Sequence, residues 1–278
     1  MIWRTSRRTF DLADRGLIMG IVNVTPDSFS DGGHFARTDD AVAHALRLSD
    51  EGTDILDIGG ESTRPGAAAV TVEDELRRVI PVIEKLAGKT AAALSIDTSK
   101  AAVARAAAAA GAEIINDVTA LQGDDDMPRV AAESGCAVVL MHMQGTPRTM
   151  QLNPHYDDVV AEVAGHLAQR VAAARAAGIG PERIAIDPGI GFGKTVEHNM
   201  QLITGLGRFA ALGHPVLLGA SRKSFLATLA HCADVEDRDL PTAVLTALGY
   251  GFGARLFRVH AVHANLQALR LAEALAAR

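Results

Sequence analysis

The feature that most constrains the fold is a regular alternation between two kinds of segment. Short runs of β-branched and other apolar residues are separated by longer, alanine-rich amphipathic segments, such as those at 39–52 and 73–88, which each end in glycine. Each short run predicts a buried strand, and each longer segment predicts a helix. Strands are predicted at 17–23, 54–58, 92–96, 113–116, 137–141, 183–187, 215–218 and 254–259, and the longest helix at 157–177.

Strands that alternate with helices imply a parallel sheet with the helices packed on its faces. Eight such units within about 250 residues favour a closed (β/α)8 TIM barrel over an open doubly wound sheet. No linker and no shift in composition divides the 278 residues. The sequence therefore predicts an α/β fold, with one barrel domain over residues 1–278.

Composition narrows the classes of partner. A hydrophobic content of 48% suits a globular protein with a sizeable core, and the net charge of −6 argues against a nucleic-acid binder, which needs a basic surface. Cys136 and Cys232 lie far apart and form neither a disulfide framework nor a zinc spacing. The basic start lacks an apolar signal core, and no later run is long enough to span a membrane. We expect a cytoplasmic protein that binds small molecules, with no nucleic-acid or membrane partner.

Polar groups stand at the carboxyl end of every predicted strand, where a TIM barrel builds its active site. They are Asn23; Asp57 with the segment 59–66; Asp97; Asn116 and Asp117; His142; Asp187; the segment 221–223; and Arg258 with His260. One such residue is usually a turn former or a helix cap. Eight that converge on one face are better explained by a functional site.

These groups fall into two chemical sets. Asp97, Asn116 and Asp187 offer acceptors and an amide that suit a flat heterocycle with several N–H donors, although both aspartates could instead cap helices. The cations ask for an anion such as phosphate or carboxylate, or are solvated surface charges. That second set comprises Arg64, Lys194, Arg222, Lys223, Arg258 and His260.

Three other chemistries lack support in the sequence. The stretch 187–195 fails as a phosphate-binding P-loop because Pro188 stands where its first glycine should be. The stretch 219–223 fails as a nucleophile elbow because Lys223 occupies a glycine position. His142 and His260 have no partner at ligand spacing, so a structural transition-metal site is not indicated. A magnesium ion that arrives with a diphosphate needs only one or two protein oxygens, and Asn23 could supply one.

Seven motifs together resemble the dihydropteroate synthase family of folate biosynthesis. They are NVTPDSFSDGG (23–33), DIGGESTRPGA (57–67), SIDTSK (95–100), IIND (114–117), DPGIGFGK (187–194), SRKSF (221–225) and RVH (258–260), and they span nearly the whole chain in order. The resemblance implies a TIM barrel that condenses 6-hydroxymethyl-7,8-dihydropterin diphosphate with 4-aminobenzoate, giving 7,8-dihydropteroate and pyrophosphate. It also implies a magnesium-dependent homodimer that sulfonamides target.

The resemblance assigns roles to individual positions. The pterin would be held by Asp97, Asn116, Asp187 and Lys223. The diphosphate would be held by Thr63, Arg258 and His260, with Asn23 on the magnesium ion. The loops that close over the site and shape the aminobenzoate pocket would contribute Asp27, Ser28, Phe29, Ser62, Thr63, Arg64 and Pro65, together with Phe192 and Ser221. The predicted catalytic residues are Asp27, Arg64, Asp97, Lys223, Arg258 and His260.

One position departs from the family, which commonly has an aspartate after the RVH motif where this chain has Ala261. The change affects loop anchoring at the last strand more than it affects the chemistry. Two alternatives stay open. A pterin-dependent methyltransferase would share the barrel but not the first two loops, and a silent paralogue would bind pterins without turnover.

Overall fold

The computed structural model describes residues 1–25, 34–62, 69–146 and 149–277, with the backbone alone for residues 34–37. Its central element is an eight-stranded parallel sheet. The strands are β3 (Leu17–Asn23), β4 (Ile55–Gly59), β5 (Ala93–Asp97), β6 (Ile114–Asp117), β7 (Ala137–Met141), β8 (Ile184–Asp187), β9 (Leu217–Leu218) and β10 (Leu256–Val259). All eight predicted strands are therefore confirmed, with ends that shift by one or two residues.

Helices follow these strands, as the alternation predicts. They are α1 (His34–Asp50), α2 (Val72–Leu86), α3 (Ala101–Ala110), α4 (Met127–Ser134), α5 (Val159–Ala176), α6 (Val196–Thr204), α7 (Leu206–Ala210), α8 (Ser224–Ala230), α9 (Asp239–Gly251) and α10 (Val262–Ala276). The longest, α5, lies within the predicted span of 157–177. None of the helices in the described part of the chain is both long enough and apolar enough to cross a membrane.

The sheet closes on itself. Its strand order is β8-β7-β6-β5-β4-β3-β10-β9, and a parallel bridge between Ile186 and Val216 joins the two ends. Side chains alternate along each strand, so one set packs outward under the helices and the other fills the interior. The interior set includes Met19, Ile55 and Ala185. The predicted TIM barrel is therefore confirmed.

An N-terminal hairpin, which the sequence did not predict, covers the amino-terminal end of the barrel. It consists of β1 (Ile2–Arg4) and β2 (Thr9–Asp11). Trp3 is fully buried in the interior core. The Arg8 guanidinium donates to both carboxylate oxygens of Glu113, at 2.9 and 2.6 Å, just before β6 begins. The basic N-terminal segment thus helps to close the amino-terminal end of the barrel.

Candidate active site

The polar cluster lies inside the barrel, one layer above the apolar core. Ile55, Ile114 and Leu256 belong to the interior core. Two residues after each of them come Asp57, Asn116 and Arg258. Because strand side chains repeat every two residues, the strands that fill the lower barrel with apolar groups present polar groups at its carboxyl-terminal mouth.

Asp57 is the centre of this cluster. Its carboxylate is fully buried and accepts hydrogen bonds from residues of three other strands, β5, β6 and β10. The donors are Arg258 Nε at 2.6 Å, Asn116 Nδ2 at 3.1 Å and Ser95 Oγ at 2.6 Å. A buried carboxylate requires such partners, and they fix the orientation of both Arg258 and Asn116.

Arg258 bridges two carboxylates. Besides Asp57, its Nη2 donates to Asp97 Oδ2 at 2.8 Å. Burial raises the pKa of Asp97 to about 7, against the lowering effect of Arg258 and with a further increase from the charges of Asp57 and Glu75. The predicted pterin acceptor and the predicted diphosphate ligand are therefore one hydrogen-bonded unit.

Asp187, at the end of β8, uses one oxygen for a turn. Its Oδ1 accepts the backbone N–H of Gly189 at 2.7 Å. Its side chain is buried, which raises its pKa, while Lys223, that N–H and Lys194 act to lower it. The helix-capping role considered from the sequence is not present, because the next helix, α6, begins only at Val196; Oδ1 instead holds a turn.

Lys223 lies across the loop that follows β8. Its Nζ donates to the carbonyl oxygen of Ile190 and stands 4.3 Å from the centroid of the Phe192 ring. Burial lowers the pKa of Lys223 to about 8, with Asp187 opposing the shift and Arg258 adding to it. The structure thus brings together Lys223, Phe192 and Asp187, as predicted.

The glycines of the 187–194 motif serve packing. Gly189 has φ +69° and Gly191 has φ +79°, in the left-handed region that favours glycine. A Cβ on Gly189 would stand 1.8 Å from the carbonyl oxygen of His142, and one on Gly191 would stand 2.9 Å from Lys223 Cδ. The loop therefore lies close to both its neighbours, which explains a glycine-rich stretch that is not a P-loop.

Ser221 and His260 form a pair at the other side of the mouth. Ser221 Oγ lies 2.9 Å from His260 Nδ1 and accepts the backbone N–H of His260 at 3.2 Å. In one tautomer of the imidazole, the hydroxyl donates its hydrogen to Nδ1 while it accepts that N–H. The imidazole then carries its own hydrogen on Nε2, which makes Nε2 a donor for an anion.

Two of the cations predicted to bind an anion at the rim are already engaged by other groups of the protein. Lys194 is 3% exposed, and its Nζ contacts His142 Nδ1 at 3.0 Å and the Phe192 carbonyl oxygen at 2.9 Å. Burial lowers its pKa to about 7. Arg222 forms a bidentate ion pair with Asp239, at 2.7 and 2.8 Å. The rim position predicted for Lys194 is wrong because its side chain is buried, whereas Arg222, which is ion-paired as Arg258 is, stays a predicted anion ligand.

Asn23 ends β3, opposite Gly59 of β4. Its amide oxygen is a hard ligand of the kind that Mg²⁺ accepts. Among the described residues no group of three or more histidines, cysteines or carboxylates could hold a metal ion. A magnesium ion here would take an oxygen from Asn23 and its other ligands from substrate and water, and it stays a prediction.

Of the residues predicted in the two loops after β3 and β4, the structure describes one. Ser62 is half-buried in the segment after β4. Outside the described residues lie Asp27, Ser28, Phe29, Thr63, Arg64 and Pro65. Conversely, the sequence patterns assigned no role to Asp57 beyond its place at a strand end, and none to Ser95. The signal for both was their place two residues beyond interior apolar positions of β4 and β5.

The fold and the site define an enzyme class, a (β/α)8 barrel whose mouth joins heterocycle acceptors to an anion-binding arginine. The family model described as pterin binding enzyme matches residues 19–260. The dihydropteroate synthase of Escherichia coli (strain K12) is 47% identical over 259 residues, which cover 92% of this chain and 90% of that protein. The chain belongs to the dihydropteroate synthase family.

Solved structures agree with this assignment. A Xanthomonas albilineans dihydropteroate synthase with 4-aminobenzoic acid has a TM-score of 0.93 at 50% identity and covers 100% of this chain and 98% of its own. A second structure from that organism, in complex with 7,8-dihydropteroate, has a TM-score of 0.91 at 48% identity, with 100% of both chains covered. The chain is thus a transferase of folate biosynthesis, and the methyltransferase alternative is set aside.

Proposed function

We propose that the barrel mouth divides the reaction between an acceptor wall and a leaving-group wall. Asp97, Asn116 and Asp187 hold the pterin edge, because each offers an acceptor oxygen at the carboxyl-terminal mouth of the barrel. Arg258 and His260 hold the diphosphate. The observation that carries this proposal is the Asp57 cluster, which ties Asn116 to Arg258 and, through Arg258, to Asp97.

The residues suggest how the bond is exchanged. As the C–O bond to the diphosphate breaks, negative charge grows on the leaving oxygen, where Arg258 and His260 Nε2 would stabilise it. The electron-rich dihydropterin stabilises positive character at its exocyclic carbon, and the amine of 4-aminobenzoate forms the new C–N bond and then releases one proton to water. Asn23 would supply an oxygen to Mg²⁺, which when bound neutralises diphosphate charge.

The aminobenzoate would lie beside Phe192 and Ser221, which flank Lys223. A flat aromatic acid suits the ring of Phe192, and the ammonium of Lys223 already stands over that ring. A sulfonamide that mimics aminobenzoate would compete for this position.

Pyrophosphate release on mixing the protein with pterin diphosphate, 4-aminobenzoate and Mg²⁺ tests the proposal. Release should require both substrates and should stop when a chelator removes Mg²⁺. Pterin binding without pyrophosphate release would identify a silent paralogue instead.

We also propose that the chain forms a homodimer through α9. Leu240, Val244 and Leu248 recur every four residues along it, and Phe252 caps its C-terminal end; the four are 74%, 49%, 49% and 38% exposed. Residues spaced in this way share one helix face, and an exposed apolar stripe of this length favours a partner. A second copy is the partner that the family resemblance implies.

Sedimentation of Val244→Arg tests this surface. The variant should sediment as a monomer at concentrations where the parent is a dimer, while Leu152→Arg, which is on a separate exposed segment, should not change the parent's state. A parent that is monomeric would reject the proposal. Two free cysteines among the described residues support a cytoplasmic location.

A further inference from the structure

Lys100 occupies a position where a lysine is locally unfavourable. It is the N-cap residue of α3, and its side chain makes no capping hydrogen bond. Lysine has no side-chain acceptor for the free N–H groups there, and a cation is disfavoured at the positive end of a helix. Asp124 instead accepts the Ala101 N–H at 2.9 Å. A residue that breaks local rules without helping its own helix suggests a role elsewhere.

The Lys100 ammonium contacts two carboxylates, those of Glu61 and Glu75. We name Lys100, Glu61 and Glu75 the clasp. Burial acts to lower the pKa of Lys100, but hydrogen bonds and charge from both glutamates raise it above the ordinary value. Lys100 therefore keeps its charge at neutral pH.

Glu61 connects the clasp to both ends of the segment between β4 and α2. While Oε2 contacts Lys100, Oε1 accepts the backbone N–H of Val70 at 2.9 Å. Nearby, Arg78 Nη1 donates to the carbonyl oxygen of Gly60 at 2.7 Å. One carboxylate thus joins residue 61 to residue 70 and is itself held by Lys100.

Glu75 makes the clasp dependent on Lys100. Its side chain is fully buried, and among the described residues its Oε1 has no hydrogen-bond partner. Lys100 is the cation that neutralises it. The negative charge of Glu75 also acts to raise the pKa of Asp97, so the clasp is electrostatically coupled to this proposed pterin acceptor.

We propose that Lys100 is a positioning residue that fixes both ends of the 60–70 segment relative to β5. Lys100 follows Asp97 of β5 by three residues, so the clasp fixes the position of Ser62 relative to Asp97, one of the proposed pterin acceptors. The inference rests on the proposed function, because it takes Ser62 to lie on the aminobenzoate side. It assigns Lys100 a role in aminobenzoate recognition without contact to either substrate.

Lys100→Met, which keeps the stem and removes the charge, tests the clasp by steady-state kinetics with each substrate varied in turn. We expect KM for 4-aminobenzoate to rise about tenfold, with the affinity for a pterin ligand changed by less than about threefold. Lys100→Arg, which keeps the cation, should recover most of the loss. Lys89→Met, an exposed lysine before β5, is the matched control and should behave like the parent.

Glu61→Gln provides a second route, because Glu61 is partly exposed and its loss leaves Glu75 paired with Lys100. It should produce the same selective rise in KM, and the Lys100→Met/Glu61→Gln double variant should be no worse than Lys100→Met alone. Hydrogen exchange should also speed up in peptides that contain the Val70 amide. Should Lys100→Met fail to fold, Glu61→Gln and the exchange measurement decide the matter.

The outcomes separate this inference from the assignment on which it rests. If Ser62→Ala raises KM for 4-aminobenzoate and folded Glu61→Gln does not, the clasp is only structural and the inference fails. If Ser62→Ala has no effect either, the proposed position of the aminobenzoate is wrong. Equal losses for both substrates in Lys100→Met would also overturn the inference.

Discussion

Asp187 uses its two carboxylate oxygens for different tasks. Oδ1 accepts the Gly189 N–H and shapes the turn after β8, while Oδ2 lies 3.5 Å from the position that a Cβ on Gly219 would take. Because Gly219 has no side chain, space is left beside Oδ2. Turn formation and ligand binding therefore belong to one side chain but to separate atoms.

Asp187→Asn should separate these tasks. Asparagine can keep an oxygen on the Gly189 N–H, so the melting temperature should change little. The amide then directs a donor at the donors of the pterin, and affinity should fall by about 2 to 3 kcal/mol, roughly 100-fold. Calorimetric titration with a pterin ligand measures this loss. Asp124→Asn, which alters a turn-capping aspartate alone, is the control, and native-like affinity in Asp187→Asn would reject the anchor role.

Asp97 gives the stability a pH dependence of known sign. Its pKa is raised from 3.8 to about 7, so the folded state binds this proton more tightly than the unfolded state. The resulting stabilisation is present below pH 4 and is lost as the pH rises towards 7. Asp97→Asn does not titrate, so its stability relative to the parent should increase over that window by a few kcal/mol. Urea unfolding at pH 5 and pH 8 measures the change, and a constant difference would contradict it.

Arg258 has a structural as well as a chemical role, because it pairs with two carboxylates. Arg258→Ala should lower kcat/KM, and the fall should correspond to a loss of about 2 to 4 kcal/mol of transition-state stabilisation. It should also destabilise the fold by about 3 kcal/mol, since Asp57 loses its cation. Adding Asp57→Asn should restore stability but not activity. A double variant that regains activity would remove Arg258 from the chemistry.

At the scale of elements, α10 shows how the chain manages without the family's usual aspartate. Ala261 is its N-cap and forms no side-chain cap. The His263 N–H is instead accepted by Glu51 at 3.1 Å, from the turn after α1. Asn265 Nδ2 donates to the Ala261 carbonyl oxygen at 2.7 Å. Glu51 and Asn265 therefore supply hydrogen bonds at the start of α10, where Ala261 has no capping side chain.

Glu51→Ala should cost about 0.5 to 1 kcal/mol of unfolding free energy, the usual value of a helix cap. In an Ala261→Asp background the cost should become smaller, because a local cap then accepts the same N–H groups. Chemical unfolding of the parent, the two single variants and the double variant completes a double-mutant cycle. Equal costs in both backgrounds would mean that Glu51 does not act as the cap.

At the scale of the whole molecule, the barrel has two ends with separate functions. The hairpin β1–β2 plugs the amino-terminal end, where Trp3 is fully buried and its Nε1 donates to the Arg183 carbonyl oxygen at 3.3 Å. The polar cluster occupies the opposite end. We therefore expect changes in the hairpin to alter stability without altering the chemistry.

Trp3→Ala should destabilise the protein by about 3 to 5 kcal/mol, as expected for a large buried side chain. Below its new melting temperature its kcat/KM should stay within about twofold of the parent, because Trp3 lies at the barrel end away from the site. Trp3→Phe should recover most of the stability. A fall in kcat/KM that tracks the loss of stability would contradict the independence of the two ends.

The sequence by itself determined the strands, their order along the chain and the polar end of the barrel. This was possible because the signals are local. A two-residue period places Asn116 on the same face as Ile114, and glycine and helix patterns mark where each unit ends. The motifs of the family then gave candidate roles to these positions.

Only the tertiary structure decided which charges are available. Asp57 and Arg258 are 201 residues apart and meet because closure makes β10 a neighbour of β3, beside β4. Burial removes Lys194 from the rim, and Asp239 forms an ion pair with Arg222. Trp3 fills a space that exists only once eight strands have closed. Such pairings depend on distances between remote segments, which no local pattern in the chain encodes.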